Sequence, residues 1–304
     1  MNSRLNAKSE ERTEEVHKPS RATQLHIVWR KLKASKLAVF GGTIVLAVSV
    51  VALIGPLIVP YGPHDMYIAE PLRPPFSEVW LGTDDWGRDM ASLLVIGART
   101  SLYVGFGAVL LEAALGLAIG MIAGYFGGLI DEVLMRIADA VLTLPTLMLL
   151  IIAVAMFKMS GINVIILVSG LLGWPLLARV VRSEFLTLKE TTFVEAARSM
   201  GAGDWRIILR HILPNAMASI IVLLTMDIPW YIFYEASLTF LGFGDPTAAS
   251  WGILMEHGRR FLSSQGWWIA AFPGLAILVT SLGFNLFGDG LRDALDVTIR
   301  ARAE

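Results

Sequence analysis

Cysteine is absent from this chain of 304 residues, which excludes disulfide bridges and thiolate metal sites. Charged residues are scarce, at 17% against about 25% in soluble proteins. The net charge of −1 gives no indication of a nucleic-acid partner. The chain also lacks a G-x-x-x-x-G-K-[ST] phosphate loop, a Gly-x-Ser-x-Gly elbow and any metal spacing among its five histidines. We therefore expect no catalytic residues, no metal and no bound cofactor in this chain.

Charged residues are nearly absent from six long apolar blocks. The chain as a whole is 55% hydrophobic, with a mean hydropathy of +0.62. A membrane-spanning helix needs roughly 20 apolar residues, and its backbone groups must be bonded within the segment. The pattern therefore predicts an all-α integral membrane protein with six transmembrane helices. Prolines inside the blocks predict kinks rather than helix ends. The blocks are residues 37–59, 100–124, 133–157, 162–178, 216–243 and 267–288.

The second block also contains Gly116, Gly120 and Gly124, spaced four residues apart. Such a row of small residues predicts close packing against a neighbouring helix. It is common in membrane helices and indicates nothing about a transported solute.

The distribution of basic residues predicts the orientation. With the amino terminus inside, 19 of the 25 Lys and Arg residues fall on the inner side, so we expect both termini in the cytoplasm. Residues 1–20 are charged and have no early apolar run, which favours a disordered tail over a signal peptide. Residues 21–36 are predicted to form an amphipathic helix at the membrane interface, because Val28, Trp29 and Leu32 share a face among basic residues. An ordinary basic flank of the first span is the alternative.

Residues 183–215 are too polar to span a membrane, yet they are rich in helix-forming residues. A helical run ends at Gly201, and a second helix begins at Gly203 or Asp204 and ends at Pro214. The segment therefore predicts a helix, a turn and a helix on the cytoplasmic side.

The first of these helices contains Glu195, Ala196 and Ala197. A helix pair without a core of its own needs something to pack against. The two alanines would admit a partner's backbone, and Glu195 could pair with a basic or amide group. The alternative is a loop that covers only the ends of the chain's own helices.

Three carboxylates lie inside predicted spans, where charged groups are costly and usually face a cavity or a partner. We interpret them as candidates for a translocation pathway. The alternative is hydrogen bonding between helices, which is favoured for the last of the three because it lies near the end of its span. The residues are Glu112, Asp227 and Glu235.

The sequence from Glu195 to Pro214 resembles the EAA loop of ATP-binding-cassette importer permeases, although His211 stands where that family has isoleucine. In the family this loop docks in a groove of the ATPase subunit. The resemblance implies the type I importer permease fold with cytoplasmic coupling helices. It also implies an ATPase-coupling role for Glu195, Ala196, Ala197, Gly201, Leu213 and Pro214.

Further motifs extend the resemblance over most of the chain, and they are similar to dipeptide and oligopeptide permeases of the C subunit type. Leu93 and the run 245–250 depart from that pattern. The departures leave the solute open, because relatives also import nickel complexes, glutathione, opines and oligosaccharides. The matching segments are residues 81–89, 97–99, 124–128, 240–242 and 284–296.

The resemblance implies a channel-forming subunit of a binding-protein-dependent importer, most simply for di- or oligopeptides, in a bacterial or archaeal plasma (inner) membrane. The implied partners are a second, B-type permease, two ABC ATPases that carry ATP and Mg²⁺, an extracytoplasmic solute-binding protein and the lipid bilayer. An ion-coupled secondary transporter is the alternative class, but we find no half-to-half repeat. The chain then divides into a tail (1–20), an interfacial helix (21–36), a first span with an outer segment (37–99), a core domain (100–290) with its coupling loop (183–215), and a cytoplasmic C-terminus (291–304).

Overall fold

The computed structural model describes residues 21–303 except 78, 158–160, 246 and 264, and the described part is helical with no strand. The predicted disordered tail, residues 1–20, lies outside the described residues. The helices are α1 (Arg21–Ala34), α2 (Lys36–Ile58), α3 (Met90–Phe126), α4 (Gly128–Leu142), α5 (Thr146–Phe157), α6 (Ile162–Leu188), α7 (Thr192–Ser199), α8 (Asp204–Ile207), α9 (Leu213–Phe240), α10 (Trp251–Gly258) and α11 (Trp268–Ala303). A π-helical turn, Ile208–Ile212, joins α8 to α9, and a 3₁₀ turn, Arg259–Phe261, follows α10.

Side-chain caps set the start of three helices. The Ser35 hydroxyl accepts a hydrogen bond from the Ala38 N–H at 3.3 Å at the start of α2. Asp89 accepts from the Ser92 N–H at 2.8 Å at the start of α3. Ser250 accepts from the Ile253 N–H at 3.2 Å at the start of α10. Each cap satisfies a backbone donor that has no partner within the helix.

Among the residues that the structure describes, five helical runs are long and apolar enough to cross a membrane, with α8 and α9 counted as one run, and α4 with α5 forms a sixth span if the bent pair is counted as one. The prediction of a mere kink in the third block was wrong, because the chain breaks between Leu142 and Thr146 with a bend of 87°. Pro145 cannot donate a backbone hydrogen bond and disfavours helical geometry at the residue before it. The prolines within spans that do not break their helices are Pro56, Pro175, Pro229 and Pro273.

The predicted close packing of the glycine row is confirmed between α3 and α6. A Cβ atom at Gly116 would lie 2.7 Å from Leu177, and one at Gly120 or Gly124 would lie 2.6 Å from α6 atoms. Any side chain at these positions would push α6 away, so the row holds the two helices at backbone contact.

Helix α3 lies at the centre of the bundle and contacts α2, α6, α9 and α10. Helix α11 closes the other side against α2, α9 and α10. Helix α1 precedes α2 and packs on α11. The helix predicted for residues 21–36 is therefore present, and its interfacial position stays a prediction.

Candidate functional site

The helical loop between α6 and α9 begins with α7, which ends in a left-handed turn at Gly201 (φ +81°). The Ala202 N–H donates to the Ala197 carbonyl at 3.1 Å, and the Met200 N–H donates to the Ala196 carbonyl at 3.1 Å. Hydrogen bonds of this kind, with glycine at the left-handed position, close a helix and satisfy its last carbonyls. The helix and turn predicted from the sequence are therefore present.

The second helix of the loop does not end at Pro214, which corrects the prediction. Gly203 is the N-cap of α8, and the helical path continues through the π-helical turn into α9 as one run, Asp204–Phe240. Pro214 lies in the first turn of α9. The Leu213 N–H donates to the Ile208 carbonyl, five residues earlier, which is the hydrogen bond of a π-helical turn. Because proline is tolerated in the first turn of a helix, the chain continues from α8 into α9 without a break.

The inner face of α7 packs on this chain. Val194 and Ala197 are fully buried in a cluster with Phe185 of α6 and with Ile207 and Ile208. Ala197 is therefore turned toward its own core, so the expectation that it admits a partner's backbone is wrong and only Ala196 remains available. The alternative, a loop covering the chain's own helix ends, describes this inner face.

The opposite face of the loop is largely uncovered within the described part of the chain. Glu195 and Ala196 are exposed, and four large apolar side chains lie exposed around them. A group of exposed apolar side chains of this kind indicates a site where a partner binds. The apolar residues are Phe193, Met200, Trp205 and Leu209, of which Met200 is 81% exposed.

Two contacts fix the loop to the end of α3. The Tyr125 hydroxyl donates a hydrogen bond to Asp204 Oδ1 at 2.7 Å. The ring of Phe126 packs edge-on against Trp205, with centroids 6.4 Å apart. Since α3 is also packed tightly on α6, the loop, α3 and α6 form one continuous body.

Two ion pairs connect α4 to α6 beside this body. Arg182 binds Asp131 through two hydrogen bonds, and Arg179 binds Asp139. Bidentate Arg–carboxylate pairs are geometrically specific, so the Arg182–Asp131 pair fixes the position of α4 more strongly than a single contact would.

Two of the three carboxylates proposed for a pathway lie next to each other. Glu112 of α3 is 2% exposed and accepts a hydrogen bond from the Tyr231 hydroxyl at 3.0 Å. Asp227 lies beside Glu112. Asp227 Oδ2 is buried without a hydrogen-bond partner among the described residues. Gly173 of α6 leaves room for the Tyr231 hydroxyl. The roles of Tyr231 and Gly173 were not predicted, although Tyr231 stands one helical turn after Asp227.

Glu235 lies apart from that pair and connects α9 to α10. Its Oε1 accepts a hydrogen bond from the Ser250 hydroxyl at 2.7 Å, and the side chain is 1% exposed. Ser250 is also the cap of α10. This arrangement matches the interhelical alternative given for Glu235.

The segment between α2 and α3 folds around Asp84, which is 1% exposed. Its Oδ1 accepts from the N–H groups of Trp86 and Arg88, both at 2.9 Å, and its Oδ2 accepts from Arg88 Nε at 2.6 Å. Trp268 at the start of α11 donates from Nε1 to the Thr83 carbonyl at 3.0 Å. The motif at residues 81–89 therefore holds this segment on the helix bundle.

The loop before α10 faces the same side. Asp245 accepts hydrogen bonds from the Thr247 hydroxyl at 2.6 Å and the Thr247 N–H at 2.9 Å. These hydrogen bonds hold the pKa of the Asp245 carboxyl below its usual value. The carboxylate is therefore charged over the physiological pH range.

Comparison with known proteins identifies the family. Residues 116–301 match the family described as "Binding-protein-dependent transport system inner membrane component". The chain belongs to this family of permeases. Residues 23–75 also match the N-terminal transmembrane domain of oligopeptide transport permease C. The family and the apolar helices make the chain a multi-pass inner-membrane permease subunit of an ABC importer, and ABC importers couple transport to ATPase subunits.

Individual relatives cover nearly the whole permease. The chain is 38% identical to the dipeptide transport system permease protein DppC of Bacillus subtilis (strain 168), over 97% of this chain and 92% of the relative. It is 39% identical to the glutathione transport system permease protein GsiD of Pectobacterium atrosepticum, over 90% of this chain and 91% of the relative. It is 38% identical to the oligopeptide transport system permease protein OppC of B. subtilis, over 89% and 88%.

Solved structures confirm the predicted fold class. A chain from the inward-facing MetNI methionine ABC transporter superposes with a TM-score of 0.54 at 21% identity, covering 68% of this permease and 97% of that chain. The match establishes the type I permease fold.

Proposed function

We propose that this permease transports di- or oligopeptides as one of two different channel-forming subunits. The partners are a B-type permease, two ATPase subunits that bind ATP and Mg²⁺, and an extracytoplasmic solute-binding protein. Relatives that carry dipeptide, oligopeptide and glutathione names all act on peptide-like solutes, which supports the solute class. The permease itself has no ATPase site and no bound cofactor in this proposal, and both of its termini lie in the cytoplasm.

The single observation that carries the proposal is the two-sided helical loop around α7. Its inner face is fixed to the ends of α3 and α6, and its outer face presents Glu195, Ala196 and exposed apolar side chains. The exposed apolar face is suited to bind a partner subunit. Because the other face is packed on α3 and α6, a movement of that partner would be transmitted to these two spans. Gly201 and Pro214 shape this loop from within, and Leu213 packs against its core.

The coupling step then follows from the packing. Closure of the ATPase pair would move the loop, and the Gly116–Gly124 row would carry α3 and α6 with it as one body. The spans would then open alternately to the two sides of the membrane. Glu112, Asp227 and Glu235 remain candidates for the pathway. The pair formed by Glu112 and Asp227 is the stronger of the two locations because two carboxylates meet there, whereas Glu235 is bonded to Ser250 as a link between α9 and α10.

Purification of the whole transporter tests the ATPase partnership. We expect ATPase subunits to co-purify with the wild-type permease and to be lost with Glu195→Lys or Gly201→Asp. Glu132→Lys is the matched control, because Glu132 is exposed on α4 and lies outside the loop. Retention of the ATPase subunits by Glu195→Lys would contradict the coupling role of the loop. Solute transport without any ATPase chain would contradict the ATPase partnership and would favour an ion-coupled transporter.

Glutathione is the second candidate solute, because permeases for it are as similar to this chain as those for dipeptides. Uptake into vesicles that contain the whole transporter and its binding protein distinguishes them. Competition of labelled dipeptide by unlabelled dipeptide, but not by glutathione, supports the first proposal, and the reverse supports the second.

A further inference from the structure

A groove of about 640 Å³ runs between α2 and α3 on the outside of the bundle. Its walls are mostly apolar, with a basic and a hydroxyl side chain at one end and a single serine of α2 further along. The lining residues are Ser49, Ala52 and Leu53 of α2, Arg99, Thr100, Leu102, Tyr103 and Phe106 of α3, and Ile162 of α6.

The contacts between α2 and α3 give the depth of this groove. The two helices are antiparallel, and Gly55 of α2 packs directly on Val95 of α3. Leu53 stands five residues before the end of α2 at Ile58, which is about 8 Å along the helix. Arg99 follows Val95 by one turn, so its Cα lies at a similar depth below the end of the apolar helix. A long arginine side chain can reach from there to the headgroup level.

Arg99 is exposed and enters none of the ion pairs and hydrogen bonds found among the described residues. A cation beside hydrocarbon is costly unless an anion or water compensates it. Thr100 adds a hydroxyl donor at the same end of the groove. This end is therefore suited to an anion.

The remainder of the groove has the opposite character. Phe106 lies seven residues further along α3 than Arg99, about 10 Å deeper. Leu102 and Phe106 line this length with apolar surface. Tyr103 stands at the side, where its hydroxyl donates to Asn163 at 3.2 Å.

We propose that this groove binds one phospholipid, with its phosphate on Arg99 and Thr100 and an acyl chain along Leu102 and Phe106. A carboxylate of a transported solute would satisfy Arg99 but leave the apolar length unfilled. A helix of the second permease would fill the apolar length but would not by itself supply the anion. A phospholipid supplies both the anionic group and the apolar chain, at the positions where the groove needs them. The proposed site does not depend on which solute the permease carries.

Photo-crosslinking of the whole transporter identifies the occupant. The probe is p-benzoylphenylalanine in place of Phe106, in vesicles of phosphatidylglycerol and phosphatidylethanolamine. The reference position is Leu110, which is 69% exposed one turn further along α3 and lies outside the groove. We expect more phospholipid adduct at position 106 than at 110. The phosphatidylglycerol adduct should fall about fivefold with Arg99→Gln, the factor expected for one arginine at an anionic surface.

Arg260→Gln is the matched control, because Arg260 is an exposed arginine on the same side of the protein that does not line the groove. It should leave the adduct at position 106 unchanged. A crosslink from position 106 to another polypeptide would show that a protein occupies the groove and would overturn the proposal. Equal lipid adducts at positions 106 and 110, or an unchanged yield with Arg99→Gln, would also overturn it.

Discussion

Gly173→Ala is expected to destabilise the permease by breaking the hydrogen bond between Tyr231 and Glu112. A Cβ atom at position 173 would overlap the Tyr231 hydroxyl and lie 3.0 Å from Cζ, so the ring would have to move. The Tyr231–Glu112 bond is 3.0 Å long, and Glu112 is 2% exposed, so water cannot replace the lost donor. A lost bond to a buried ionisable group together with a displaced ring costs roughly 3–6 kcal/mol.

Two further variants separate the hydroxyl from the ring. Tyr231→Phe removes the donor but leaves the ring in place, so we expect a smaller loss of about 1.5–3 kcal/mol. The double variant Gly173→Ala/Tyr231→Phe should cost less than the sum of the single changes, because without the hydroxyl the main overlap disappears. The sign of this coupling is specific to a Gly173–Tyr231 contact.

Thermal unfolding of the purified transporter in vesicles measures these differences as a ranking of Tm values, which does not require two-state behaviour. The control is Gly274→Ala in α11, where the nearest atom to an added Cβ is Met255 Cε at 3.8 Å. We expect Gly274→Ala to unfold with the wild type, Tyr231→Phe below it and Gly173→Ala lowest. A wild-type Tm for Gly173→Ala, or full additivity in the double variant, would refute the contact.

Three other predictions concern the ends of the bundle. Gly201→Ala places a side chain at φ +81° and should cost about 1 kcal/mol and lower the yield of co-purified ATPase, as judged by subunit ratios; an unchanged ratio would contradict a coupling role for the turn. Arg182→Asp should lower the Tm, and the exchange Arg182→Asp/Asp131→Arg should restore part of it; equal Tm values for both would show that the pair contributes nothing. Asp84→Ala should leave the Arg88 side chain without its buried partner, costing about 3–5 kcal/mol, and should make residues 59–89 sensitive to added protease, whereas Asp65→Ala, at an exposed site, should not.

The spans could be predicted from the sequence because their signal is local. An uninterrupted apolar run of about 20 residues must form an α-helix to cross the lipid. The break at Pro145 could not, because four other prolines lie within spans whose helices continue. Whether a proline bends or breaks a helix depends on the neighbours that can satisfy the released backbone groups. Those neighbours are distant in the chain.

The candidate coupling site was predictable for a similar reason, since its turn and helix signals lie within about 20 residues. The direction of Ala197 was not, because an eight-residue helix with adjacent alanines does not indicate which one faces the core. The approach of Asp227 and Tyr231 to Glu112 depends on the packing of α9 against α3, since Tyr231 and Glu112 are 119 positions apart in the sequence. No local pattern carries that information.

The length of α3 determines how far the exposed face of the α7 loop stands from the lipid. A helix of 37 residues is about 55 Å long, whereas the hydrocarbon layer is about 30 Å thick. The excess must project into water, and the end that carries Tyr125 is bonded to Asp204. A soluble subunit could therefore bind at this projecting end of α3 without displacing water from the lipid headgroups. Shortening α3 by whole turns would bring that subunit into contact with the bilayer surface.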